Sequence, residues 1–155
     1  MAWSVPLKII DYLSDPARQQ HLRPPETPGV YVISERCWAG AEPAKSAGVL
    51  YVGQSGYLRY RIGQLSADML GFTGDNPGYS GSYYHSGGHQ IWHHCLGHNA
   101  PAHLLYFAWY ANCHCLDCAE IGLIRLLAPS LNRARPGTCV QHPQILPLAT
   151  ALAGP

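Results

Sequence analysis

The chain has 155 residues, of which 47% are hydrophobic and 12% are charged, and its formal net charge is +1 with neutral histidines. This length suits one domain with a sizeable core. The near-zero charge excludes a protein that holds nucleic acid by bulk electrostatics, because such proteins are strongly basic. Any contact with nucleic acid must therefore come from a local basic face.

No apolar stretch is long enough to span a membrane, since a transmembrane helix needs about 20 apolar residues. Lys8 and Asp11 interrupt the apolar residues near the N-terminus, so we expect no signal peptide. Without an export signal, the six cysteines are expected to be thiols or metal ligands rather than disulfides. These features predict a cytoplasmic protein with no membrane partner.

Residues 1–28 are predicted to form an N-terminal extension. The apolar residues between Leu7 and Leu13 suggest a short helix. The prolines at 24, 25 and 28 then break regular structure before the main domain, which is predicted to cover residues 29–135.

Two runs of β-branched and aromatic residues predict strands near 30–34 and 49–53, joined by a long hairpin connection. A glycine-rich turn follows the second run. Apolar residues then recur at helical spacing, which predicts a helix near 57–66. A third strand is predicted near 104–110 and a second core helix near 117–127.

Residues 66–101 are predicted to be an insertion, mainly a loop over 71–101 because Gly, Tyr, His and Ser dominate it, with a short helix at Ile91-Trp92. A loop of this length is usually functional. The tail 136–155 is predicted to be irregular, with weak packing over 144–155. The expected fold is therefore α+β, with a small three-stranded antiparallel sheet flanked by helices in the order β-β-α-β-α.

Five short peptides follow one another along the main domain, and each contains a candidate site residue. They are Gly29-Val30-Tyr31, Tyr51-Val52-Gly53, Leu58-Arg59-Tyr60-Arg61-Ile62, Glu120-Ile121-Gly122-Leu123-Ile124-Arg125 and Pro129-Ser130-Leu131-Asn132. In this order and local context they resemble the GIY-YIG nuclease family. The resemblance covers roughly residues 26–135, and it implies the β-β-α-β-α core and a metal-dependent endonuclease that hydrolyses DNA phosphodiester bonds.

The resemblance also implies a role for each site residue. Glu120 would bind one Mg²⁺ or Mn²⁺, which stabilises the leaving oxygen, and Arg61 would clamp the non-bridging phosphate oxygens. Tyr31 would assist deprotonation of the attacking water, and Tyr51 would orient water or phosphate. Because a tyrosine has a pKa near 10, a base here needs Arg61 or the metal to lower it. Asn132 would order the site or touch the phosphate backbone.

The chain departs from the family pattern at two positions. Many relatives carry a lysine where this chain has Gln54, and some carry a histidine one helical turn beyond the arginine, where this chain has Leu65. If a histidine base is needed, it must come from the insertion, where His85 and His89 are the best candidates.

Specific recognition of DNA needs further contacts, because no separate DNA-binding domain is evident. Arg59, Arg133 and Arg135 would form a small basic rim together with Gln54. The aromatic residues of the insertion suit stacking on bases. A partner or a homo-oligomer would be another source of specificity. The alternative function is a catalytically silent module that binds nucleic acid or acts structurally.

Cysteines are concentrated in the peptide Cys113-His114-Cys115-Leu116-Asp117-Cys118. Zinc sites use such residues, typically as paired C-x₂₋₄-C units. Two further residues, Cys139 and His142, would add ligands, as would Cys95 with His94. The alternative is that Cys118 packs on its helix and the other cysteines are small apolar residues. A zinc-stabilised module therefore remains a competing interpretation.

Overall fold

Four strands form one antiparallel sheet in the order β1-β4-β2-β3. They are β1 (Leu7–Lys8), β2 (Gly29–Ser34), β3 (Val49–Ser55) and β4 (Tyr106–Ala111). The structure is a computed structural model that describes residues 2–14, 23–71, 86–132 and 137–154.

The α-helices that the described residues form lie on both sides of this sheet. They are α1 (Ile9–Ser14), α2 (Leu58–Met69), α3 (Ser86–Gly97), α4 (Leu116–Leu127) and α5 (Leu148–Ala153). Short 3₁₀ turns precede β3 and β4, at Lys45–Ala47 and Ala102–Leu104. The predicted α+β class is confirmed, and the sheet has four strands rather than three.

Strand β2 explains the layered architecture, since all six of its residues are buried. Because successive side chains of a strand point to opposite faces, Val30 and Val32 pack with α4 and α5, whereas Tyr31 and Ile33 pack with α1, α2 and α3. The sheet is therefore the middle layer between two hydrophobic cores. This burial accounts for the continuous apolar run that predicted the strand.

The N-terminal extension belongs partly to the sheet. Leu7 pairs with Phe107 and Lys8 with Tyr106, so the short helix predicted from Leu7 begins only at Ile9. A strand of two residues is too short to show the alternation by which strands are recognised in a sequence.

The insertion at 66–101 contains more helix than predicted. Helix α2 continues to Met69, and the short helix expected at Ile91-Trp92 is observed as α3, which covers Ser86–Gly97 and replaces much of the predicted loop. The glycines that suggested a loop permit close packing: a Cβ added at Gly88 would lie 2.7 Å from the Cβ of Asp68. Residues 72–85, with the tyrosines predicted to stack on bases, lie outside the described residues.

The C-terminal tail also joins the fold. Residues 137–147 have no helix or strand, as predicted, but α5 follows and packs against α4 with Ala151 and Leu152 buried. The backbone N–H of Cys115 donates to the carbonyl of Ala151 at 2.9 Å. The prediction of a weakly packed tail is therefore wrong for this helix.

Within the described part of the chain, none of the helices has both the length and the apolar character that crossing a membrane requires.

Candidate active site and metal cluster

The two motif tyrosines lie on the same face of the sheet. Tyr31 of β2 pairs with Gly53 of β3, and Ile33 pairs with Tyr51, so the tyrosines are diagonal neighbours across two antiparallel strands. Their rings are stacked, with centroids 6.3 Å apart and an interplanar angle of 29°. Pairing of the two strands thus brings together two phenols that are far apart in the sequence.

Two glycines fix the positions of these rings. A Cβ at Gly53 would overlap the phenol of Tyr31, and a Cβ at Gly87 of α3 would overlap the ring of Tyr51. The first glycine belongs to the tyrosine motif and has a steric reason to be there. The second was not recognised in the sequence, because it stands in a segment that was predicted to be loop.

Arg61 of α2 and Glu120 of α4 act electrostatically on both phenols. The guanidinium of Arg61 lowers the pKa of Tyr31 and of Tyr51, and the carboxylate of Glu120 raises both. All four groups therefore interact electrostatically, although α2 packs on the tyrosine face of the sheet and α4 on the opposite face. We call these four residues, Tyr31, Tyr51, Arg61 and Glu120, the tyrosine pocket.

The two tyrosines are neutral phenols in this environment. Burial raises the pKa of Tyr31 well above its usual value, and the neighbouring Tyr51 raises it further. Burial likewise raises the pKa of Tyr51. Arg61 lowers both, as expected for a cation, but its effect is too small to make either tyrosine a base by itself. Only 1% of the Tyr31 surface is exposed, whereas Tyr51 is half-buried.

Glu120 has a perturbed carboxyl group. Burial raises its pKa to about 7, a hydrogen bond with Gln54 lowers it, and the charge of Asp117 raises it. The Nε2 group of Gln54 also donates to Oδ1 of Asp117 at 2.8 Å. Gln54 was predicted to contact nucleic acid, but its side-chain amide holds two carboxyl groups together.

Asp117 is a site residue that the sequence interpretation missed. It precedes Glu120 by three residues, and positions i and i+3 of a helix lie on the same face. This spacing was available in the sequence as a signal. Two adjacent carboxylates offer hard oxygen ligands of the kind that bind Mg²⁺ or Mn²⁺.

Asn132 is engaged with the backbone of β3. Its Oδ1 accepts from the N–H of Val52 at 2.9 Å, and its Nδ2 donates to the carbonyl of Val52 at 2.8 Å. Val52 stands between Tyr51 and Gly53, so the amide orders the strand that carries the second motif. Of the two roles expected for Asn132, this contact corresponds to the ordering role.

His89 is one of the two candidate histidine bases. It lies on α3 with its Nε2 2.9 Å from Nε2 of His93, and its ring centroid is 5.5 Å from that of Trp92. The other candidate, His85, lies outside the described residues.

Arg59 of the predicted basic rim is engaged with the extension. It forms an ion pair with Glu26, and its Nε donates to the carbonyl of Pro24 at 3.1 Å. These contacts attach the residues before β2 to the start of α2. Arg133 and Arg135 lie outside the described residues.

Four metal-ligating side chains converge on the other side of the sheet. Their ligand atoms all lie within 4.8 Å of one another, so the group could hold a metal ion such as zinc. Three of the four residues are buried, and all six cysteines are free thiols, as expected from the sequence. We call this group, Cys115, Cys118, Cys139 and His142, the cysteine cluster.

The other predicted zinc ligands do not belong to the cluster. The thiol of Cys113 donates to the carbonyl of Tyr110 at 3.5 Å, and Cys95 lies in the opposite core on α3. Cys139 and His142, which the sequence offered as further ligands, supply the second pair of the cluster with C-x₂-H spacing.

No protein-family model, curated protein or solved structure matches this chain. Its function is therefore argued from the chemistry of its own residues.

Proposed function

We propose that the chain is a metal-dependent endonuclease of the GIY-YIG type that hydrolyses phosphodiester bonds in DNA. One observation carries the proposal: two stacked phenols lie within electrostatic reach of a guanidinium and a carboxyl group. Each of these four residues belongs to one of the first four motif peptides. A phosphodiester is already anionic, so its cleavage needs charge neutralisation and a positioned water.

Glu120 and Asp117 suit the divalent cation that this chemistry needs. Both are oxygen donors, they are one helical turn apart, and Gln54 links them. A bound Mg²⁺ or Mn²⁺ would act as a Lewis acid on the leaving 3′ oxygen. A nearby cation would also favour the ionised form of a carboxyl group that burial disfavours.

The remaining pocket residues have complementary tasks. Arg61 would bind the non-bridging phosphate oxygens through its planar fork. Tyr51, the more accessible phenol, would donate a hydrogen bond to the phosphate or orient the attacking water. Tyr31, as a neutral phenol stacked on Tyr51, would relay the proton of the attacking water: its oxygen would accept that proton while its own hydroxyl proton leaves to a solvent water. By resemblance, the products would carry a 5′-phosphate and a 3′-hydroxyl.

Two tyrosines at the start of α2 offer a DNA-binding surface next to Arg61. Tyr57 and Tyr60 expose 68% and 56% of their surfaces. Exposed aromatic rings beside an arginine suit stacking on bases or packing on the sugar-phosphate backbone. They would supplement the weak overall charge of the protein.

The test is a plasmid-nicking assay with Mg²⁺. Wild-type protein should convert supercoiled plasmid to nicked circles, and Glu120→Ala, Arg61→Ala and Tyr31→Phe should each reduce the rate at least about 10²-fold. Tyr110→Phe is the matched control, because Tyr110 is a buried tyrosine on the opposite face of the sheet. Equal nicking by wild type and all variants would refute the proposed nuclease activity.

A panel of linear, branched, single-stranded and RNA substrates then defines the substrate class.

The near-complete burial of Tyr31 favours one second candidate, a silent module that binds nucleic acid without cutting it. This candidate predicts that wild type and Glu120→Ala bind DNA equally and that neither cleaves it at any divalent-metal concentration. Cleavage that depends on Glu120 eliminates it.

A further inference from the structure

The cysteine cluster joins two segments that are distant in the sequence. Cys115 and Cys118 stand at the start of α4, whereas Cys139 and His142 lie in the segment before α5; Cys115 and Cys139 are 24 residues apart. Each segment contributes two ligands with two residues between them, a spacing typical of zinc sites.

Three of the six distances between the ligand atoms match those around a tetrahedral zinc ion, and all six are within 4.8 Å. With bonds of about 2.3 Å to sulfur and about 2.0–2.1 Å to nitrogen, zinc gives tetrahedral edges of about 3.8 Å between sulfurs and about 3.6 Å between sulfur and nitrogen. The Sγ atoms of Cys115 and Cys139 are 3.6 Å apart. Nδ1 of His142 lies 3.5 Å from Sγ of Cys139 and 3.7 Å from Sγ of Cys118.

The surroundings of the cluster also resemble those of a metal site. The backbone N–H of Leu146 points at Sγ of Cys118 from 3.5 Å, the kind of contact that orients a metal-bound thiolate. Three thiols and one imidazole are soft ligands, which select zinc over Mg²⁺ or Ca²⁺. Four protein ligands would close the coordination sphere, so an ion here would be structural rather than catalytic.

The cluster lies between an uncapped helix end and an irregular segment. Cys115 is the N-cap residue of α4, and no side chain caps this end of the helix by a hydrogen bond. The segment 137–147 has neither helix nor strand. A metal ion would replace these missing interactions by linking the uncapped helix start to the irregular segment.

We propose that Cys115, Cys118, Cys139 and His142 bind one structural Zn²⁺, which fastens the C-terminal segment to the N-terminus of α4. The ion does not touch the substrate. It acts on the tyrosine pocket only by holding α4, on which Glu120 follows Cys118 by two residues.

Elemental analysis of the purified full-length chain tests the site. Wild type should contain one zinc per chain. Cys118→Ser and Cys139→Ser should lose it, whereas Cys113→Ser, the control at a neighbouring cysteine outside the cluster, should retain it, and so should His142→Cys. Wild type that carries no zinc and takes up none when zinc is supplied would overturn the proposal, as would equal loss in Cys113→Ser and Cys118→Ser.

Two measurements on the wild type stand even if a cysteine variant fails to fold. Replacement of the metal by Co²⁺ should give the intense visible absorption of a tetrahedral site and a thiolate charge-transfer band. Weak octahedral absorption would contradict the site.

Removal of zinc with a strong chelator should speed proteolytic cleavage within 137–154 at least about tenfold, because the segment loses its attachment, and added zinc should reverse the effect. Unchanged cleavage would refute the fastening role. No DNA enters these experiments, so their outcome is independent of the nuclease test.

Discussion

The tyrosine pocket and the cysteine cluster differ in how their polar groups are arranged, although α4 contributes to both. In the cluster, the ligand atoms lie near one another and are mostly buried, so a metal would complete a closed unit. In the tyrosine pocket, two phenols stack, while the charged groups act on them through space. A closed group of ligands suits a structural ion, whereas a functional site must leave room for its ligand.

The comparison predicts different responses to metal removal, and this is the largest effect that we expect. A strong zinc chelator should lower the thermal midpoint by about 10 °C or more, because structural zinc contributes folding free energy directly. Omission of Mg²⁺ should abolish cleavage without shifting the midpoint appreciably. Differential scanning calorimetry checks both, and a chelator-insensitive midpoint would contradict the difference between the two sites.

One added methyl group, at Gly53, should disrupt the packing of the Tyr31 phenol. Gly53→Ala should lower cleavage at least about 10²-fold, since the added Cβ overlaps the Tyr31 ring and displaces the phenol. Gly56→Ala is the matched control, because a Cβ there meets nothing within 4 Å. Its cleavage rate should equal that of wild type. Similar rates for both alanine variants would show that the position of Tyr31 does not matter.

Substitutions of Asn132, which does not belong to the tyrosine pocket, test how β3 is held in place. Asn132→Ala removes both hydrogen bonds to Val52 and should cost about 1–3 kcal/mol in urea unfolding. Asn132→Asp keeps an acceptor for the N–H of Val52 but turns a carboxylate oxygen toward the carbonyl, so it should not restore the full stability. A phosphate-binding role would instead raise KM for DNA without loss of stability.

The smallest effect concerns the charge on Glu120. Burial raises the pKa of this carboxyl group to about 7 in the folded chain, so its stabilising contribution is complete below about pH 4.5 and is lost as the pH rises through 7. In Mg²⁺-free buffer, Glu120→Gln should therefore match wild type near pH 4 and exceed its stability at pH 8 by about 1–2 kcal/mol. The same variant should be inactive. Equal stability at both pH values would contradict the raised pKa.

The sequence predicted the elements that local patterns determine. The strand predicted at 30–34 is observed at Gly29–Ser34, and the helix predicted at 117–127 is observed at Leu116–Leu127. A run of β-branched and aromatic residues was sufficient for the strand, and helical spacing of apolar residues was sufficient for the helix. The helix Ser86–Gly97 was predicted only at Ile91-Trp92, because Gly87 and Gly88 suggest a loop but serve close packing.

The sequence identified most of the site residues, but it did not show which of them contact one another. The motif peptides identified both tyrosines, but only the strand register shows that their rings stack. The partners of Gln54 come from α4, far along the chain, and no local pattern reveals such a contact. Cys139 and His142 were named as ligands, yet only folding shows that they form a pair opposite Cys115 and Cys118.

The hydrogen bonds at the edge strand β3 also limit how two copies of the chain could associate. Residues 130–132 satisfy backbone groups of β3 between Val49 and Val52, through Ser130, Leu131 and the Asn132 amide. An exposed edge strand would otherwise template the addition of a foreign strand. At the opposite edge, β1 is only two residues long. A dimer of this protein would therefore not form by pairing of residues 49–52 of β3 with a strand of a second copy.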